Sequence, residues 1–294
     1  MKTTLNRLAT LSLLAAATAL VGCNGASNMA LDRVSSTNKG FSIRTLSRAG
    51  RTRPYGLFIP NVPADRSGYP VIIFLHGMGE GGNDSRANLT VGLAPFVAAQ
   101  ESTFKFICIF PQSDNGHWDE DSANAEDVIA ELDEVERNFP VDRSRVSLTG
   151  LSTGGHGTYA IGAKYHDRFA ALVPMGSNGA DLAHADQLTH LAVRAYCSQS
   201  GDIFAGWNDN NMCDKINTLG GHAEFIQTPT SGHDCWEYVY GSGELFTWMK
   251  QQRRQSTGRT AAPVAAPIAM PTAAAPKMAA PTQANTNLIV NTPY

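Results

Sequence analysis

Arg145-Val146-Ser147-Leu148-Thr149-Gly150-Leu151-Ser152-Thr153-Gly154-Gly155-His156-Gly157 is the stretch on which the reading of this chain turns. It opens on a short apolar run of strand character, Val146–Thr149, passes through Gly-x-Ser-x-Gly, and enters a segment of helical spacing from Thr153 to Tyr165. Small residues at Gly150 and Gly154 let the chain turn sharply, so that Ser152 is lifted above the strand end with its hydroxyl accessible. The helix that follows points its amino end, with unpaired N–H groups and a partial positive charge, at any negative charge developing there. In a strand–turn–helix setting these residues read as a nucleophile elbow; without that setting they would be only a Gly-rich turn.

Outward from the elbow, short apolar runs alternate with helical ones from residue 70 onward. The expected strands are Val71–Leu75, Lys105–Phe110, Val146–Thr149, Phe169–Pro174, Leu191–Tyr196 and Ala223–Gln227, each short and apolar as strands buried on both sides are. Between them, Ala123–Asn138 places Val128, Ile129, Leu132 and Val135 at helical spacing with its acids facing solvent, and Glu244–Gln252 is a further helix. Phe41–Leu46 and Tyr55–Ile59 read as an antiparallel hairpin that begins the sheet, with Arg44, Arg48, Arg51 and Arg53 along a solvated edge. The pattern predicts an α/β fold: a mainly parallel sheet covered by helices on both faces.

A serine hydroxyl is a weak nucleophile until a base takes its proton, so a histidine and an acid to orient it are sought downstream. Asp202, in Ser200-Gly201-Asp202, follows one expected strand, and His233, in Ser231-Gly232-His233-Asp234, follows another. Both belong at the carboxyl ends of strands, the edge that carries Ser152. Asp209 and Asp181 are lesser candidates for the acid, and His76 and His156 are rivals for the base whose positions favour structural hydrogen bonds. The negative charge of a tetrahedral intermediate needs two N–H donors. Thr153, next after the serine, is one candidate; Met78, in the glycine-dense run Leu75-His76-Gly77-Met78-Gly79-Glu80-Gly81-Gly82, is the other. No Gly-Lys-Ser/Thr follows that run, which argues against a phosphate-binding loop.

Three blocks carry a resemblance: PVIIFLHGMGEGGND (70–84), VDRSRVSLTGLSTGGHGTYAIGAKYHDRFAALVP (141–174), and GHDCWEYVY (232–240) with ELFTWMK (244–250) after it. Together they resemble the α/β-hydrolase carboxylesterases of the phospholipase/carboxylesterase type, which include predicted peptidases and are related to feruloyl esterases and polyhydroxyalkanoate depolymerases. The likeness covers about residues 40 to 252. It implies Ser152, Asp202 and His233 as nucleophile, acid and base, Met78 and Thr153 as oxyanion donors, an ester substrate, and no metal or organic cofactor. Two departures stand out: YCSQSGDIFAGWNDNN (196–211) lacks the His-Gly that usually precedes the acid, and Thr153 stands where Met is common. Trp118, Trp236 and His76 are candidate substrate contacts at the mouth of such a site. Asn208-Asp209-Asn210-Asn211 lacks the glycine and distal glutamate of a calcium loop and reads as a polar loop.

The remaining features concern the ends and the cysteines. Among 294 residues, 43% are hydrophobic and 17% charged, and a net charge of −3 leaves no basic surplus for nucleic acid. Residues 1–22 read as an export signal, with Lys2 and Arg7 before the apolar run Leu8–Leu20, and Leu20-Val21-Gly22-Cys23 matches a bacterial lipobox in which Cys23 is lipidated. An exported protein anchored by lipid to a bacterial envelope is therefore expected. Residues 23–38 are a linker, 39–254 the folded domain, and 255–294 a tail with eleven Ala and five Pro between 261 and 284. Cys108 lies in an apolar strand and reads as a buried thiol; one bridge is expected among Cys197, Cys213 and Cys235, with Cys235 tying the base loop to the acid loop.

Overall fold

The computed structural model describes residues 39–177, 181–202 and 207–254. The expected leader, linker, Cys23 and tail lie outside them. In chain order the elements are β1 (Gly40–Arg48), β2 (Arg51–Ile59), β3 (Tyr69–Leu75), α1 (Leu93–Ala99), β4 (Ile107–Phe110), α2 (Ala123–Asn138), β5 (Val141–Leu151) and α3 (Thr153–Lys164). They continue with β6 (Ala171–Met175), β7 (Ala192–Ser200), α4 (Trp207–Thr218), β8 (His222–Ser231), α5 (Trp236–Gly241) and α6 (Glu244–Gln251). One eight-stranded sheet takes the order β1-β2-β4-β3-β5-β6-β7-β8. β1 pairs antiparallel with β2, and β2 with β4; the pairings from β4 onward are parallel.

Alternation along the buried strands builds two cores. In β3, Val71, Ile73 and Leu75 face one cluster with α2, α3 and α4, while Ile72 and Phe74 face the other with α1, α5 and α6. Each such side chain contributes roughly 1.5–3 kcal/mol on burial. Helix α2 starts where its cap is: Ser122 Oγ accepts from Ala125 N at 3.2 Å. Its apolar stripe is as expected, but not all of its acids meet solvent, for Asp127 and Glu131 are buried. The hairpin arginines explain half of this. Asp127 faces Arg51 at 3.3 Å and Arg53 at 3.7 Å, Arg48 pairs with Glu126 at 2.8 Å, and Arg53 also pairs with Asp114, so this edge is an ion-pair network rather than a row of solvated charges.

Three helices escape the sequence pattern. α1 and α5 are runs of seven and six residues, too short for periodicity to declare. The segment read as a polar loop at Asn208–Asn211 is the first turn of α4, which buries Asp209, Met212, Cys213 and Ile216. Polar residues dominate that helix, and only packing against β7 and β8 gives it a core face.

Strand order creates the site. β3 lies between β4 and β5, so the chain leaves β3 in one direction and later returns to its other side, opening a crevice at the carboxyl ends of β3 and β5. Register then aligns the ends: Leu75 pairs with Gly150, Leu151 with Met175, Met175 with Tyr196, and Ser200 with Ser231. Ser152, Gly176, Asp202 and His233 each stand one or two residues past such an end.

Candidate active site

Ser152 caps α3 with φ 55 and ψ −119, a conformation side chains other than glycine rarely adopt. Its neighbours enforce it. A methyl on Gly150 would lie 2.3 Å from the Gly154 carbonyl oxygen, and one on Gly154 would lie 2.1 Å from that of Leu75. No side chain fits either place, so packing demands glycine where the sequence reading asked only for small residues. Ser152 N donates to Met175 O at 2.9 Å, which ties the turn to the end of β6.

His233 and Asp202 form a pair: Nδ1 of the imidazole is 3.1 Å from both carboxylate oxygens. The Asp202 side chain is 3% exposed and that of His233 24%, so the acid is covered while the ring keeps an accessible edge. Gly176, at φ 55, gives the ring its floor; a methyl there would meet His233 Cε1 at 3.1 Å. Trp236 stands edge-on to the imidazole at 5.2 Å between centroids. Because Met175 O holds the Ser152 amide and the next residue underlies His233, elbow and base border two successive residues of one strand end.

Of the alternative acids, Asp181 is exposed and caps a short turn by accepting from Ala183 N at 2.9 Å. Asp209 is fully buried, and its Oδ2 accepts from Ser177 N at 3.2 Å. It lies behind the pair rather than in it. No bridge joins the acid and base loops: Cys108, Cys197, Cys213 and Cys235 are all buried free thiols, which corrects the expected disulfide. The tie is made by backbone instead, through Gly232 N donating to Ser200 O at 2.9 Å.

The two oxyanion candidates meet through a residue the sequence reading did not single out. Thr153 N–H sits in the first turn of α3, where an amide has no intrahelical acceptor. Thr153 Oγ1 donates to Gly116 O at 2.8 Å, and a methyl on Gly116 would come 2.6 Å from Met78 O, so the Gly116 turn buttresses both. Met78 opens the one-turn helix Met78–Glu80 and is 55% exposed. Gln112 clamps the same loop, accepting from Asp84 N and Ser85 N at 2.9 and 2.7 Å and donating to Glu80 O at 3.0 Å. Glu80, whose carboxyl is pushed above its usual range by burial, lies over Gly77 beside the elbow.

His76 and Trp118 do not reach the mouth. Both are buried, His76 donating from Nδ1 to Gly77 O at 2.6 Å and accepting at Nε2 from Ser113 N at 3.0 Å, while Trp118 Nε1 donates to His76 O at 2.9 Å. Burial lowers His76 to about 4, so the neutral ring can hold both bonds at neutral pH. The two side chains brace the loop from below. Trp236, also buried, packs on the base rather than lining the opening.

The same architecture occurs in a thermostable esterase at 22% identity and TM-score 0.64, over 73% of this chain and 63% of that one. A ferulic acid esterase matches at 18% identity and TM-score 0.56 over 72% and 98%, and the Staphylococcus aureus fluorophosphonate-binding serine hydrolase F at 14% and 0.58 over 71% and 98%. The chain has the α/β-hydrolase fold. By sequence, poly(3-hydroxyalkanoate) depolymerase C of Paucimonas lemoignei is 26% identical over 192 residues, 57% of this chain. The present chain spans 44% of that enzyme's length. No protein-family profile matches the sequence.

Proposed function

We propose that this α/β-hydrolase protein is a serine hydrolase that cleaves carboxylic esters through an acyl-enzyme. The observation that carries the reading is Ser152 held at positive φ and tied to Met175 O, with the next residue, Gly176, underlying a histidine already paired to a covered carboxylate. In this mechanism Ser152 Oγ attacks the ester carbonyl as His233 Nε2 takes its proton, with Nδ1–H donating to Asp202 and fixing the tautomer. The Met78 and Thr153 amides hold the oxyanion. His233 then gives its proton to the departing alcohol, and water repeats the sequence to release the acid.

The likeness to a thermostable esterase, a ferulic acid esterase and a poly(3-hydroxyalkanoate) depolymerase supports ester substrates, small-molecule and polymeric alike; an acylaminoacyl peptidase of Pyrococcus horikoshii shares the fold at TM-score 0.55, so a peptide substrate is the second reading on the same serine. Export and lipid anchoring at Cys23 remain part of it on the strength of the lipobox alone; among the described residues no helix is long and apolar enough to cross a membrane. Ser152→Ala should abolish both hydrolysis of a short p-nitrophenyl ester and labelling by a fluorophosphonate probe. Turnover retained in that variant would refute the assignment.

A further inference from the structure

At the opposite edge of the sheet from Ser152, at the amino ends of β6 and β7, two histidines and an aspartate converge. His166 and Asp167 belong to the turn His166–Arg168 between α3 and β6, and His190 stands two residues before β7. His166 Nδ1 is 3.2 Å from His190 Nε2 and 3.3 Å from Asp167 Oδ1, and one donor atom from each of the three residues lies within 4.8 Å of the others. The rings stand edge to face, 4.9 Å between centroids and 83° between planes.

We propose that His166, Asp167 and His190 bind a divalent cation of the zinc class, with water completing the coordination. Bonds of about 2.0–2.1 Å arranged tetrahedrally separate neighbouring donors by about 3.3 Å, the spacing seen along both measured edges. Two imidazoles and a carboxylate are the donor set such ions take, and a softer or harder ion would ask for thiolates or more oxygens. His166 Nδ1 has two neighbours within 3.3 Å, an imidazole nitrogen and a carboxylate oxygen; a cation between them is shared by all three groups.

Access and charge fit. The His166 and Asp167 side chains are 34% and 49% exposed, so an ion can enter and a water can stay. The Arg168 guanidinium is drawn off to Asp133 at 2.7 Å and Glu136 at 3.2 Å, and Arg254 holds the backbone carbonyl of Asp167. The ion would pin the entries of two paired strands, since Ala171 and Ala192 are partners in the sheet. Its role is structural and independent of the proposed hydrolysis.

The test is calorimetric titration of the chelator-stripped protein with zinc chloride, alongside thermal unfolding. One equivalent should bind and raise the melting temperature, and His190→Ala and Asp167→Asn should each weaken binding by about tenfold or more while leaving ester turnover and metal-free melting unchanged. Cobalt(II) bound in place of zinc should give the visible absorption of a four-coordinate N/O site. Equal zinc affinity in the double variant His166→Ala/His190→Ala, or no heat and no melting shift at about 0.1 mM zinc, would overturn the proposal.

Discussion

The carboxylate of Asp209 accepts a hydrogen bond from the amide of Ser177, and Ser177 follows Gly176, the residue on which the His233 ring rests. A fully buried acid thus secures the floor beneath the proposed base. Burial, with a smaller contribution from nearby Asp202, pushes Asp209 up to about 7. Its unfolded value is near 4, so the native state binds the extra proton. Stability from the neutral acid is complete below about pH 4 and is lost as pH rises through about 7. Asp209→Asn should remove that decline, worth on the order of 4 kcal/mol at most; melting curves of both proteins between pH 4 and 8 decide it, and an unchanged slope in the variant counts against the account.

Strain at Ser152 should be measurable as stability. Glycine accepts φ 55 freely and alanine does not, so Ser152→Gly should be about 1 kcal/mol more stable than Ser152→Ala. Denaturant unfolding of the two inactive variants gives the difference directly.

Asp202→Asn leaves the shape of the acid loop but lets an amide N–H face His233 Nδ1, favouring the wrong tautomer. Under the proposed mechanism kcat falls by roughly 10³–10⁴ with KM little changed. Steady-state kinetics on a short ester test this; a loss confined to KM would indicate a binding role instead.

Gly116→Ala should damage turnover without touching the triad. The added methyl would press on Met78 O, displacing one oxyanion donor and disturbing the support of the other. A drop in kcat of about tenfold or more is expected, with fluorophosphonate labelling slowed in parallel.

The four thiols should behave as core residues. Burial raises Cys197 to about 11 and Cys213 to about 12, and lifts Cys108 and Cys235 as well. A thiol reagent should therefore find them unreactive in the native protein, reagent uptake should appear only on denaturation, and reductant should leave the melting temperature unchanged. A reductant-dependent loss of stability would mean that a bridge forms after all.

Local signals served well where they were strong. Ala123–Asn138, read from its apolar stripe, matches α2 end for end, and the structure adds a serine cap; the strands were visible as short apolar runs, though β5, β7 and β8 extend beyond them into polar residues that ladder pairing alone recruits. Signals failed where a neighbour decides. Trp118, after the run 105–110, and His76, before the glycine-dense loop, read as candidate site contacts with a structural role as the alternative, and both take the structural role: they face inward, where each satisfies a buried carbonyl or amide. Cysteine spacing suggested a bridge, but spacing along the chain carries no information on whether two sulfurs point at each other.

What the order of residues determined by itself was the elbow: Gly150, Ser152 and Gly154 carry their own steric instruction, and strand before and helix after are local matters of pattern. Which carboxylate stands behind His233 was decided only when β7 and β8 paired in register and laid Ser200 beside Ser231, bringing Asp202 to the ring and leaving Asp209 beneath it. Nearness to its strand end already set Asp202 ahead of Asp209 in the sequence; hydrogen-bond register between distant strands, a property of the assembled sheet, is what puts its carboxylate against the ring.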